Sequence, residues 1–149
     1  MAVELSDDDL EELMKSLTTY LTFDGTCREA MTFYAKCLGG DLLMMPASEA
    51  PGKPMPGAEN KIMHARISKG GSVVLMASDS MHGTVQAGYN FSISIDCDSE
   101  AEIDSLFAAL GEGGKVTVPL ADAFWGARFG MLIDQFGIQW MFNFEKPKA

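Results

Sequence analysis

Few side chains in this 149-residue chain could do chemistry, and their spacing limits what that chemistry is. His64 and Arg66 alternate on one strand-like run, so an imidazole and a guanidinium share a face. An imidazole titrating near neutrality can act as a general base or donate to a ligand oxygen, and it can equally be a satisfied structural residue. Trp125-Gly126-Ala127-Arg128 joins a large flat ring to a guanidinium, a pairing that can stack on a planar ligand and grip a carboxylate or phosphate through two parallel hydrogen bonds. Arg128 can instead pair with Asp134 or Asp122, with Trp125 closing the core under the preceding loop. Asp79 completes the candidates for proton transfer. Asp134-Gln135-Phe136-Gly137 is a turn signal whose Asp is expected to order the turn, and His82, in Met81-His82-Gly83, is expected in solvent.

Cys27, Cys37 and Cys97 form neither a CxxC pair nor an even disulfide set, which points to reduced thiols in a cytosol. Each is expected to be a small buried hydrophobe; no base lies near Cys37 in sequence to activate it. The formal charge of −10 and a pI near 4.5 oppose a phosphate backbone, so nucleic acid is excluded as a partner. The acidic run Asp7-Asp8-Asp9 does not suit a signal peptide, and no apolar stretch reaches the 18 residues of a membrane span. A cytoplasmic protein with no membrane partner is expected.

These side chains must be positioned by the elements between them. A chain of this length fits one domain and should bury roughly 68–70% of its unfolded surface without a metal or disulfide. Leu5-Ser6-Asp7-Asp8-Asp9-Leu10 reads as a capped helix start, and Leu10, Leu13, Met14 and Leu17 continue a helical stripe, giving an appended helix over residues 6–17. Tyr20 to Phe23 reads as a strand. Ala30, Phe33, Tyr34, Cys37 and Leu38 then form a helical stripe closed by Gly39-Gly40, and Leu42 to Met45 returns as a strand. Pro46 to Pro56 is a proline-rich loop, followed by strands over 61–68 and 72–78 joined at Lys69-Gly70-Gly71. Asn90 to Cys97 alternates polar and apolar residues as a strand with one wet face. Ser99-Glu100-Ala101-Glu102 is a capping box, the stripe Ile103, Leu106, Phe107 and Leu110 runs to Gly113-Gly114, and strands over 115–118, 128–133 and 138–144 complete the set.

A single offset of 74 residues carries Asp24 onto Asp98, Phe33 onto Phe107, Ala35 onto Ala109 and Gly39-Gly40 onto Gly113-Gly114, and the order of elements repeats with it. The expected fold class is therefore α+β. Two tandem βαβββ modules, about 18–80 and 88–145, make one domain over 18–149, preceded by the appended helix in 1–17.

On that layout, Arg28-Glu29-Ala30 through Phe33-Tyr34, Met63-His64-Ala65, Leu75-Met76-Ala77-Ser78-Asp79, Phe124-Trp125-Gly126 through Arg128, Asp134-Gln135-Phe136-Gly137 and Trp140-Met141-Phe142-Asn143 resemble the PhnB-like branch of the vicinal-oxygen-chelate superfamily, the glyoxalase, bleomycin resistance and dioxygenase proteins. The resemblance covers about residues 18–145. It implies a mixed sheet curled around a concave cavity and a homodimer, within a superfamily of metal-dependent lyases, isomerases and dioxygenases that also includes metal-free binding proteins. Some relatives carry a ubiquinone-biosynthesis methyltransferase label. Methyl-donor sites commonly use a Gly-rich turn after a strand, whereas Gly-Gly here follows helices.

Active members of the superfamily hold a divalent ion with His, Gln or Glu from the first and last strand of each half. The corresponding windows, 17–23, 72–78, 89–95 and 138–144, contain no His, Glu, Asp or Cys, and alignment places Thr18 or Thr19, Leu75, Asn90 and Met141 at the four positions. Gln139 is the sole ligand type there, and His64 with Asp79 offers too few donors for an alternative site. No metal and no cofactor are therefore expected. Strand parity instead directs Asn90, Ser92 and Ser94, with Gln139 and Asn143 beside Met141, into the cavity. The sequence thus predicts a pocket for a small molecule of unknown identity, with His64, Asn90, Trp125, Arg128 and Asn143 as candidate ligand-binding residues and metal-independent binding, with or without catalysis, as the function. A metalloenzyme with a non-standard site and a structural or regulatory dimerisation module are the alternatives.

Overall fold

The computed structural model describes residues 4, 6–8, 14–52 and 56–147. Each half of the chain runs strand, helix, strand, strand, strand. The first half comprises β1 (Tyr20–Phe23), α1 (Cys27–Leu38), β2 (Asp41–Pro46), β3 (Ile62–Lys69) and β4 (Ser72–Asp79), with a single 3-10 turn at Ala47–Glu49. The second comprises β5 (Ile93–Asp96), α2 (Glu100–Gly111), β6 (Lys115–Asp122), β7 (Ala127–Ile133) and β8 (Gln139–Glu145). Each half forms its own four-stranded mixed sheet, in the orders β1-β4-β3-β2 and β5-β8-β7-β6. In both, the first strand lies parallel to the last and the other pairs are antiparallel. The repeat read from the 74-residue offset is therefore present as repeated topology.

Local chemistry explains the boundaries. β3 and β4 meet across the two-residue loop Gly70-Gly71, both at positive φ, a hairpin turn that a side chain would strain. The two helices start differently. The Ser99 hydroxyl accepts from the Glu102 N–H at 3.0 Å, as the capping box predicts, while the Glu102 carboxylate reaches one residue further back and accepts from Asp98 N. Thr26, at the start of α1, makes no side-chain cap; the Asp79 carboxylate, arriving from β4, takes the Cys27 N–H at 3.0 Å instead.

One core runs through both halves. Met31 and Tyr34 of α1, Ile62, Ile67 and Leu75 of the first sheet, and Ile103, Leu110, Leu132, Trp140 and Phe142 of the second half are all buried in it. Ridges must approach closely to fill it: a Cβ on Gly130 would lie 2.7 Å from the Phe107 ring and 3.0 Å from Leu120 Cα.

Two expectations need correcting. The appended helix falls largely outside the described residues. Asp7 and Asp8 lie in a helical turn, but Met14 to Thr19 carry no helix, and Leu17 is 88% exposed, so the helix does not reach its expected end. The strand expected over Asn90–Cys97 is confined to Ile93–Asp96, because its ladder partner on β8 offers only Trp140 to Asn143. Asn90 and Ser92 therefore lack the strand parity that was to aim them, and Phe91, expected on the core face, is exposed.

Candidate functional site

Each sheet covers its helix with one face and leaves the other open. In the first sheet Leu21, Phe23, Ala65, Ile67, Leu75, Ala77 and Asp79 turn inward, which by the two-residue strand period leaves Tyr20, Thr22, Leu43, Met45, His64, Arg66 and Met76 on the open side. Register places Leu43, Arg66, Met76 and Tyr20 in one row across four strands, and Met45 beside His64 in the next. Leu75, aligned above with a metal-ligand position, faces the core instead; Met76 holds the open-face position.

The Tyr20 hydroxyl reaches over β4 to His64 Nδ1 at 3.2 Å, and the two rings lie 5.8 Å apart at a 34° tilt. The phenol thus occupies one imidazole nitrogen. Arg66, two residues along the same face, is exposed and makes no hydrogen bond or ion pair to any described residue. Sequence reasoning did not include Tyr20 in the site, although its place in the first strand, flanked by the inward Leu21, carried the parity signal.

The open face of the second sheet carries Ser94, Asp96, Phe129, Met131, Met141 and Asn143. Asn143, as parity predicted, projects there and donates to Asp96 Oδ1 at 3.3 Å. Gln139 donates to the Phe91 carbonyl at 2.6 Å and so anchors the linker before β5. Trp125 sits in the turn between β6 and β7, 56% exposed, its ring edge-on to Phe124 and to Phe129. It flanks the second open face rather than closing the core.

Arg128 does not join this face. It points to the helix side, where Nε bonds Asp104 Oδ1 on α2 at 2.9 Å and Nη1 lies 3.6 Å from Asp122 Oδ1. Asp104 holds the guanidinium pKa above its ordinary value, and Asp122, bonded by Lys146 at 2.7 Å and flanked by Arg128, is held below the usual carboxylate range. Two carboxylates already satisfy Arg128, so the expected grip on a ligand anion is replaced by an internal ion pair. Of the two expected partners, Asp122 is found and Asp134 is not; Asp104 is the additional and nearer one.

Asp79 and Asp134 are buried and fully engaged. Asp79 accepts from Cys27 N at 3.0 Å and Ile62 N at 2.8 Å. It faces the core while His64 faces out, so the two cannot share a metal. Asp134 accepts from Phe136 N and Ile138 N, ordering the turn as expected, and also from the Tyr34 hydroxyl at 2.6 Å and Trp140 Nε1 at 2.8 Å. The thiols are unsuited to nucleophilic work: burial pushes Cys27 up to about 12 and Cys97 up to about 11, reinforced by the charges of Asp79 and Glu102 respectively, and burial raises Cys37 as well.

The open-face residues on the first and last strand of each half include Tyr20, Thr22, Met76, Ser78, Ser94, Asp96, Gln139, Met141, Asn143 and Glu145, a set of hydroxyls, thioethers and amides with carboxylates only at Asp96 and Glu145. That donor set does not fit a divalent ion, which needs several deprotonated N or O ligands converging on one point. Among the described residues no three His, Cys, Asp or Glu converge on such a point.

Two clefts follow the seam between the halves. One, of about 650 Å³, has Leu75, Ile93, Ile95, Leu106 and Trp140 in its wall and Lys69 at its rim, where the ammonium caps the Leu38 carbonyl at the end of α1. The other, of about 470 Å³, lies between the β1 edge, residues 85–91 and the turn at Phe136 to Gln139, and it includes Tyr20. Tyr20 therefore borders both an open sheet face and a cleft.

A family model described as 3-demethylubiquinone-9 3-methyltransferase matches residues 15–142. The crystal structure of protein PA1353 from Pseudomonas aeruginosa is 43% identical and superposes with a TM-score of 0.80, covering 90% of this chain and 100% of that one. A putative 3-demethylubiquinone-9 3-methyltransferase, PhnB protein, from Bacillus cereus is 28% identical, with a TM-score of 0.73 over 87% of this chain and 99% of that one. A glyoxalase/bleomycin resistance protein/dioxygenase family enzyme from Burkholderia phytofirmans, 15% identical, shares the fold at a TM-score of 0.57, covering 87% and 97%.

Proposed function

The chain belongs to the PhnB-like 3-demethylubiquinone-9 3-methyltransferase family, with a glyoxalase-like fold, and from that premise we propose that it binds a small molecule without a metal, between the open sheet faces of a homodimer. The observation that carries this reading is the Tyr20–His64 pair, a hydrogen-bonded phenol and imidazole set beside Leu43, Met45 and Met76 on a sheet face that the described residues do not cover. Small-molecule sites are commonly apolar surfaces with a few convergent polar groups that fix orientation. Leu43, Met45 and Met63 on the first half, and Val118, Phe124 and Trp125 on the second, are left exposed. A second copy of the chain would bury both sets and enclose the ligand.

Within that site, Tyr20 and His64 of the first sheet and Asn143 of the second hold the ligand's polar groups, while Trp125 borders it; Asn90 lies in the linker at the mouth. Arg128 stands outside. Bound through Nδ1 by the phenol, the imidazole directs Nε2 outward as its contact with the ligand. The metal-free part of the reading rests on a donor set of hydroxyls, thioethers and amides in which no three His, Cys, Asp or Glu of the described residues converge. Methyl transfer is disfavoured because Gly39-Gly40 and Gly113-Gly114 end helices, whereas a nucleotide-like cofactor is held where a Gly-rich turn starts one. Among the described residues no helix is long and apolar enough to cross a membrane; with free thiols at all three cysteines, a cytoplasmic location is the companion proposal.

Metal analysis on protein purified without a metal-affinity tag, paired with native mass spectrometry, tests the proposal. A metal content far below one ion per chain and a dimer mass carrying a small adduct are expected. Stoichiometric zinc, nickel, manganese or iron would overturn the metal-free reading, and a monomer at micromolar concentration would overturn the enclosed site.

A further inference from the structure

The first open sheet face holds a cation that pairs with none of the described residues. Arg66 projects between Leu43 and Met76 in its cross-strand row, two residues from His64, so the two side chains leave the strand on the same face about 7 Å apart at a rise near 3.3 Å per residue. No described carboxylate pairs with it, in a chain whose net charge is −10. This contrasts with Arg128, which two carboxylates hold. Tyr20 lies in the same row as Arg66 and its O–H is spent on His64 Nδ1, which leaves the guanidinium and the imidazole Nε2–H as the donors beside Met76. The neighbours Leu43, Met45 and Met76 are apolar and offer no competing acceptor.

We propose that Arg66 is the anion-binding residue of this face, and that the ligand is a small oxyanion attached to an apolar body. The oxyanion takes the guanidinium fork in two parallel hydrogen bonds and the His64 Nε2–H as a third donor, while Tyr20 positions the imidazole. The apolar body lies on Leu43, Met45 and Met76. This inference rests on the reading of the open face as a ligand site and adds the chemical class of the ligand.

The test uses benzoate, its neutral counterpart benzamide, and phenylphosphonate, titrated into the full-length protein with binding read from amide NMR shifts on β3 and β4. Benzoate is expected to bind about tenfold or more tightly than benzamide, and Arg66→Met to remove that advantage while leaving benzamide affinity unchanged. Arg66→Lys, which keeps the charge but not the fork, should fall between them. Tyr20→Phe should weaken benzoate less than Arg66→Met does. Phenylphosphonate run beside benzoate tells a phosphorus oxyanion from a carboxylate, and a preference for either over benzamide supports the proposal. Arg66 is exposed and pairs with no described residue, so the thermal midpoint of Arg66→Met should match the parent and separate lost binding from lost folding. Equal affinity for benzoate and benzamide overturns the anion proposal and leaves the open-face reading standing. Arg66→Met that weakens dimerisation with benzoate affinity unchanged also overturns it, making Arg66 an interface residue. No shift on this face with any probe overturns both.

Discussion

The Tyr34 hydroxyl, on α1 of the first half, donates a 2.6 Å hydrogen bond to Asp134 Oδ2, in the turn after β7 of the second half. Trp140 Nε1 shares the same oxygen at 2.8 Å, and the other oxygen takes two backbone N–H groups of its own turn. One buried carboxylate thus ties a helix of one repeat to a turn and a strand of the other. The Tyr34 and Trp140 rings, 5.4 Å apart, pack edge to face around it.

Removing that carboxylate leaves four donors to be satisfied. Asp134→Ala is expected to cost about 3–5 kcal/mol, because an unsatisfied buried donor costs about 1–3 kcal/mol and the turn can recover only part of the loss from water. Tyr34→Phe removes one bond and should cost about 1–2 kcal/mol. Urea unfolding at neutral pH measures both; a Tyr34→Phe midpoint equal to the parent's would show that the bond does not fasten the halves.

Stability should fall on the alkaline side. Burial and the Asp134 charge hold the Tyr34 phenol well above its ordinary 10.0, and burial first, then Asp79, pushes the Cys27 thiol from 9.0 up to about 12. The unfolded chain releases these protons at their ordinary values while the folded chain keeps them, so the folded state binds more protons above about pH 9. Their contribution is complete below the unfolded values and is lost as pH rises toward the folded ones. Urea midpoints followed from neutral pH to about pH 11 should decline beyond pH 9. Tyr34→Phe should flatten the decline.

Arg128→Met should leave ligand binding on the open faces unchanged, since the side chain points to α2 and is held by Asp104 and Asp122. Its stability cost should be small, on the order of 0–1 kcal/mol, as for other surface ion pairs. Calorimetric titration of whichever probe binds the parent decides this. A tenfold loss of affinity would restore Arg128 to the site.

Asp79→Ala strips the cap from α1 and leaves Cys27 N and Ile62 N without an acceptor. A loss of about 2–5 kcal/mol is expected. Asp79→Asn retains one acceptor oxygen and should fall between Ala and the parent. Hydrogen exchange at Cys27 and Ile62 should speed up in both variants ahead of the rest of the core; unchanged exchange would remove Asp79 from its capping role.

Gly130→Ala drives a methyl into the Phe107 ring and the Leu120 backbone. Overpacking of this kind costs about 1–3 kcal/mol. Thermal unfolding reads it, and Phe107→Leu, which shortens the opposing side chain, should recover part of the loss.

The sequence by itself determined the order of elements and their duplication. Apolar spacing in Ala30 to Leu38 and Ile103 to Leu110 reports how a helix faces its own sheet, and the glycines after each helix mark where it stops; both are local properties of a few adjacent residues. The same locality explains where that reading stopped short. Alternation through Asn90, Phe91 and Ser92 promised strand, yet a strand exists only where a partner ladder runs beside it, and β8 pairs only from Ile93 onward. Tertiary structure alone decided which side chains meet. Arg128 is neutralised by Asp104 from α2, Asp79 caps a helix that began 52 residues earlier, and Tyr20 crosses a strand to reach His64, 44 residues away. Each pairing depends on sheet register and on which face packs against the helix, and neither can be read from spacing along the chain.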